Sequence, residues 1–107
     1  MFTSQQLFSL NNSYFEFINI APDGGTIKSR CTGHTWNLLP YTNGAVRILH
    51  KHNDGDKYHW HAVANSFEDA VAEIYYHDEY QLNGRRPTYR VYTRKGIILC
   101  RRKGALL

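Results

Sequence analysis

Sulfur is scarce in this sequence: 107 residues hold one methionine and two cysteines, Cys31 and Cys100. The cysteines stand far apart, with no CxxC and no Cys-His spacing, which excludes zinc-finger and thioredoxin-type patterns. They are expected to be reduced, semi-buried thiols of a cytoplasmic protein, with a disulfide between neighbouring strands as the lesser alternative. Long apolar runs are also missing. The longest is Ile97-Ile98-Leu99-Cys100, against the ~20 residues that a membrane helix needs, so no membrane partner is expected. Met1 to Leu10 contains no Lys or Arg and no apolar core, which does not read as a secretory signal. There is no phosphate-cradling glycine loop, no GxSxG and no HExxH. Proline is rare, at three residues, and no repeat, linker or low-complexity tract divides the chain. One domain over 1–107 is therefore expected.

The remaining absence is of acid near the C-terminus. All nine carboxylates lie at or before Glu79, and residues 1–80 carry only five cations, a net −4. Residues 81–107 carry eight cations and no acid, a net +8. This asymmetry points to an acidic partner.

What is present reads as a globular chain rich in strands. The hydrophobic share is 42% and the aromatic share 14%, with eight tyrosines; aromatic residues suit half-buried strand surfaces. Pro22-Asp23-Gly24-Gly25 separates the runs Tyr14–Ile20 and Thr26–Thr32. Asn43-Gly44 separates Thr35–Tyr41 from Ala45–His52, and Asp54-Gly55 separates the latter from Tyr58–Ala64. Asn-Gly and Asp-Gly accept the positive φ angles of hairpin turns, so a meander over about 35–64 is predicted. A helix over about 66–80 follows, capped by Ser66, with Glu68 and Asp69 in its first turn and an apolar stripe of Phe67, Ala70, Val71, Ile74 and Tyr75. Asn83-Gly84 and Pro87 end it. A short helix within Thr3–Leu10 and a hairpin of Thr88–Thr93 with Ile97–Arg102 complete the reading. The fold class is α+β: an antiparallel sheet of meander and flanking hairpins, packed against one amphipathic helix.

The histidines form the least ordinary local pattern. If Asp54-Gly55 is a two-residue turn, His50 faces His59 and Ile48 faces His61, and His50, His52, His59 and His61 share one face of the sheet. Leu49, Tyr58, Trp60 and Ala62 then lie on the other face. With Trp36 and Leu38 they make an apolar surface expected to seat the helix. The four imidazoles are read as residues of a solvated or partner-facing surface. No metal ligand, cofactor or catalytic residue is assigned. The competing readings are a metal site from HxH on paired strands and a His50–His59 general acid–base pair.

The candidate binding residues lie in the basic third: Arg85, Arg86, Arg90, Tyr92, Arg94, Lys95, Arg101, Arg102 and Lys103. Guanidinium forks match phosphate geometry, and tyrosine rings offer stacking surfaces to unpaired bases. The bland alternative is a solvated hairpin whose charges protect a strand edge or pair with the helix acids Glu68, Asp69, Glu73, Asp78 and Glu79. A meander followed by a capped helix also recurs in small DNA-binding modules, an analogy of architecture alone. The expected function is a small cytoplasmic binding module that engages nucleic acid or a nucleoprotein complex through the basic hairpin, with an accessory or inhibitor protein of a mobile element as the conjectured setting. The alternatives are a protein-interaction module, homodimeric through a strand edge, and a metal-independent ribonuclease-like enzyme.

Overall fold

The computed structural model describes residues 1–86, together with the strand backbones of residues 90–92 and 98–100. The chain opens with α1 (Ser4–Phe8), capped where the sequence suggests: the Thr3 hydroxyl accepts from the Gln6 amide while the Gln6 side chain accepts from the Thr3 amide. This reciprocal arrangement satisfies two amides that a short helix cannot pair internally.

Five strands follow: β1 (Phe15–Phe17), β2 (Gly25–Ser29), β3 (Thr35–Pro40), β4 (Val46–Lys51) and β5 (His59–Ala64). They form one antiparallel sheet in sequence order, as turn chemistry between successive β-like runs predicts. Gly25 allows the first hairpin to close. Its φ is 148°, and a Cβ there would stand 2.0 Å from the Asn19 carbonyl oxygen, so only glycine fits.

The helix α2 (Phe67–Leu82) packs on one face of this sheet. Ser66 accepts from the Asp69 amide at its start, and Phe67, Ala70, Ile74 and Asp78 form its buried stripe. Against them lie Phe15 of β1, Ile27 of β2, Trp36 and Leu38 of β3, and Val46 and Ile48 of β4, with Phe2 and Leu10 closing the edge. Each fully buried large apolar side chain contributes roughly 1.5–3 kcal/mol, so this layer holds the fold together. β6 (Arg90–Tyr92) and β7 (Ile98–Cys100) form a separate antiparallel pair with Val91 opposite Leu99, in agreement with a C-terminal hairpin. No helix among the described residues is long and apolar enough to cross a membrane.

The sequence places the helix on the wrong face. It was expected on an apolar surface opposite the histidines, yet Trp36 and Leu38 lie on the histidine face, and the helix covers both. The cause is one residue of register. A two-residue Asn43-Gly44 turn would pair Trp36 with Lys51. Instead the connection is a three-residue 3₁₀ turn, Thr42–Gly44, with Asn43 at φ 56° and Gly44 at φ 79°, and it pairs Trp36 with His50. A slip of one residue exchanges the faces of a strand. A second irregularity lies between Ile48 and Leu49: His50 pairs with His59 as expected, but Ile48 pairs with Ala62 and not with His61. This bulge lets His61 and Ala62 both serve the covered side while Trp60 points outward.

Candidate functional site

Every histidine of the chain meets under α2. His34 precedes β3, His50 ends the core of β4 with His52 just beyond it, His59 and His61 belong to β5, and His77 descends from α2. His50 is the hub: the ring centroids of His34, His52, His59, His61 and His77 lie 4.5–5.6 Å from its own. His50 is 1% exposed and His34 8%, so the centre of the cluster is dry, while His59 at its margin is exposed.

Hydrogen bonds thread the rings. His50 Nε2 lies 3.0 Å from His34 Nδ1, and His50 Nδ1 lies 3.2 Å from His59 Nε2. A neutral imidazole has one N–H and one lone pair, so neutral rings make both contacts only if the N–H groups point one way along His34–His50–His59. His61 Nε2 reaches the Glu73 carboxylate at 3.2 Å. His77 Nε2 is buried with no hydrogen-bond partner, a condition that costs about 1–3 kcal/mol.

The rings are held from behind. The Trp36 indole stacks on His50 at 4.1 Å, and its Nε1 donates to the Ser29 hydroxyl. Ser29 in turn bonds the Asp78 carboxyl, which also accepts from Tyr14 at 2.6 Å and from Thr32 at 3.0 Å. Asp78 directly follows His77 on the helix, so this hydroxyl-carboxyl network fixes the turn of α2 that carries His77. Cys31, a free and exposed thiol, donates to the Tyr14 hydroxyl at the outer end of the network.

Burial and the charge of neighbouring groups favour the neutral form of His50, His77 and His34. Burial first, then the neighbouring charge of His77, His34, His52 and His61, pushes the His50 pKa down to about 2. Burial, then His61, His34 and His52, brings His77 to about 4. His34 is lowered by burial, His52 and Arg85. Desolvation also raises the Asp78 carboxyl, against its hydroxyl donors. A His50–His59 acid–base pair does not suit this setting, because its inner member is sealed from solvent and titrates far from neutrality.

Neutral imidazoles with converging lone pairs are what late transition-metal ions bind. Two triples have one ring nitrogen each within 4.8 Å of one another: His34, His50 and His77, and His50, His52 and His59. Tetrahedral coordination at 2.0–2.1 Å puts ligand nitrogens about 3.3 Å apart; one pair in each triple is already near this, at 3.0 and 3.2 Å, and the third nitrogen lies within 4.8 Å. Sequence reasoning assigned no metal ligand and missed His34 and His77. The signal for His77 was there: the stripe through Ile74 continues three residues on.

The binding residues expected in the basic third are mostly outside the described residues. Arg94, Lys95, Arg101, Arg102 and Lys103 lie there wholly, and of Arg90 and Tyr92 only the strand backbone is described. Arg85 has φ 63°, reaches the Gln81 side chain and covers the Tyr80 ring. Arg86 is exposed, its carbonyl accepting from the Asn83 side chain. Two of the helix acids offered as internal counter-charges are engaged elsewhere, Asp78 with hydroxyls and Glu73 with His61. A second cationic feature lies on the sheet face opposite α2. The Arg47 guanidinium sits 5.4 Å from the Tyr41 ring and 5.8 Å from Trp60, and the Lys51 ammonium 4.9 Å from Tyr58. Trp60 is 55% exposed.

No family model, curated protein or solved structure matches the chain.

Proposed function

We propose that this domain binds a divalent late transition-metal ion through its histidine cluster. The observation that carries the reading is that His34, His50 and His77, from a loop, a strand and a helix, bring ring nitrogens within 4.8 Å of one another, with a buried imidazole nitrogen on His77 that has no hydrogen-bond partner. Three neutral nitrogen donors without thiolate suit zinc, copper, nickel or cobalt over magnesium or calcium. The stacked Trp36 fixes the plane of the His50 ring, and the Asp78 network fixes the turn of α2 that carries His77.

The test is thermal unfolding of the full chain with and without Zn²⁺, joined to a Co²⁺ titration read by visible absorption. Free zinc at a hundred times its dissociation constant stabilises by about 2.7 kcal/mol, a shift on the order of 10 °C for a domain of this size. Cobalt should develop the intense d–d bands of a four-coordinate ion. His34→Ala and His77→Ala should each lose most of the zinc-induced shift, whatever they do to the metal-free melting point. No shift and no cobalt colour would remove the proposal.

A second reading keeps the polyanion partner that the charge asymmetry suggests, and the cation–aromatic pairs on the sheet face opposite α2 favour it. Trp60, Tyr58 and Tyr41 present rings beside Arg47 and Lys51, the combination on which unpaired bases stack. Single-stranded oligonucleotides should then bind more weakly as salt rises. Trp60→Ala should weaken binding by roughly tenfold, within the 1–3 kcal/mol that a stacked base is worth. Binding that ignores both salt and Trp60 would end this reading.

A further inference from the structure

We infer that the cluster is a dinuclear site in which the His50 ring bridges two metal ions, one on each nitrogen. The inference rests on the metal-binding reading and adds to it a stoichiometry and a bridging group.

The two ligand triples share one residue, His50, and they approach it from opposite sides. His34 Nδ1 is 3.0 Å from His50 Nε2, and His59 Nε2 is 3.2 Å from His50 Nδ1. His77, with its ring 4.5 Å from that of His50, completes the first triple, and His52, at 4.6 Å, the second. Neither triple borrows a ligand from the other except the bridge itself. The sixth ring, His61, is held by Glu73 and is left out of both.

Charge favours the bridge. Neither triple contains a carboxylate or a thiolate, so two dications would bring four positive charges to either side of the buried His50 ring. A neutral imidazole binds an ion through its single lone pair. To bind a second ion it must release its N–H proton to solvent, leaving an imidazolate with one lone pair on each nitrogen. The balance is one proton released for the second ion bound, and the resulting negative charge lies between the two cations. Metal binding that displaces a proton is ordinary for nitrogen and sulfur ligands. The flat stacking of Trp36 on His50, 20° from parallel, fixes the ring plane and so the two directions in which its nitrogens point.

Copper is the informative probe, because an imidazolate couples the spins of two Cu²⁺ ions. The full chain is loaded with Cu²⁺ at neutral pH, freed of excess by desalting and assayed for metal per chain and for integrated EPR intensity. The expected result is two ions per chain, with EPR intensity that rises to one spin per chain on the first ion and falls on the second. His59→Ala alters an exposed ring at the margin, so the fold should survive, as circular dichroism would verify. That variant should hold one copper with its full spin. One ion per chain in the native protein would overturn the bridge and leave the metal-binding reading intact. Two ions with two full spins would show separate sites and also overturn it, and no bound copper would end both proposals.

Discussion

Acid should unfold this protein by a route that runs through the histidine cluster. His50 and His77 have folded-state pKa values of about 2 and about 4, both below the 6.5 of an unfolded histidine. A depressed histidine pKa means that the unfolded chain binds protons more readily than the folded one. Stability is then constant above pH 6.5 and is lost as pH falls below it. At pH 6 the unfolded state gains about 1 kcal/mol for each such ring, and at pH 5 about 2 kcal/mol. The two rings together therefore cost about 4 kcal/mol between pH 8 and pH 5, and His34, lowered in the same direction, adds to this. A total stability of 5–15 kcal/mol is usual for a domain, so the loss is a large part of the whole. Asp78 works in the opposite sense, because its raised pKa makes the folded state the better proton acceptor at that group, and this offsets a part.

Equilibrium urea unfolding at pH 8, 7, 6 and 5, in the presence of a chelator, measures the effect. Tryptophan fluorescence is a suitable signal, since Trp36 is buried on the His50 ring and Trp60 is exposed. The slope of stability with pH should steepen below 6.5 and approach two protons per molecule. His77→Leu should remove close to half of the pH dependence while filling the same space. A stability that stays within 1 kcal/mol from pH 8 to pH 5, or a His77→Leu profile identical to that of the native chain, would refute the reasoning.

Other substitutions probe the scaffold around the cluster, and urea unfolding at pH 7.5 reads each of them. Asp78→Ala strands the half-buried hydroxyls of Tyr14 and Thr32 and should cost roughly 2–4 kcal/mol, whereas Asp78→Asn keeps a partner for each and should cost less than half as much. Gly25→Ala drives a Cβ into the Asn19 carbonyl and should destabilise by more than about 2 kcal/mol. Ser66→Ala removes the α2 cap at about 1 kcal/mol and should leave zinc affinity unchanged.

The hairpins and α2 were legible because each is written locally. Turn residues sit between alternating runs, and Ser66 stands before a periodic stripe. The His50–His59 pairing was legible for the same reason. The face of the sheet was not, because it depends on whether two or three residues make the β3–β4 turn, and Asn43-Gly44 suits both. That ambiguity put Trp36 on the face away from His50 in the sequence, whereas in the fold it is the plate behind His50. His34 and His77 were hidden by distance along the chain. His34 stands one residue before the expected meander and so was given no face, and His77 reads as one more polar residue near the end of a helix until the helix is laid on the sheet.

The position of the cluster argues for use over mere structure. The space between Trp36, Ile74 and the strands could be filled by leucine or phenylalanine, which would leave no orphaned nitrogen and no sensitivity to acid. Instead it holds a ring nitrogen without a partner on His77 and two imidazoles with strongly lowered pKa values. Such local costs are found in natural proteins where a site needs them. The rest of the layer shows what an ordinary core looks like in this chain: Phe15, Ile27, Leu38, Ile48, Phe67 and Ile74 are fully buried and apolar. A sequence able to build that core beside six converging imidazoles had no need of them for packing. An ion seated among them would give the unpartnered nitrogen a ligand role and oppose protonation of the same rings, so metal binding should flatten the acid-unfolding profile. A profile that is equally steep with and without zinc would mean that the ion, if bound at all, sits elsewhere.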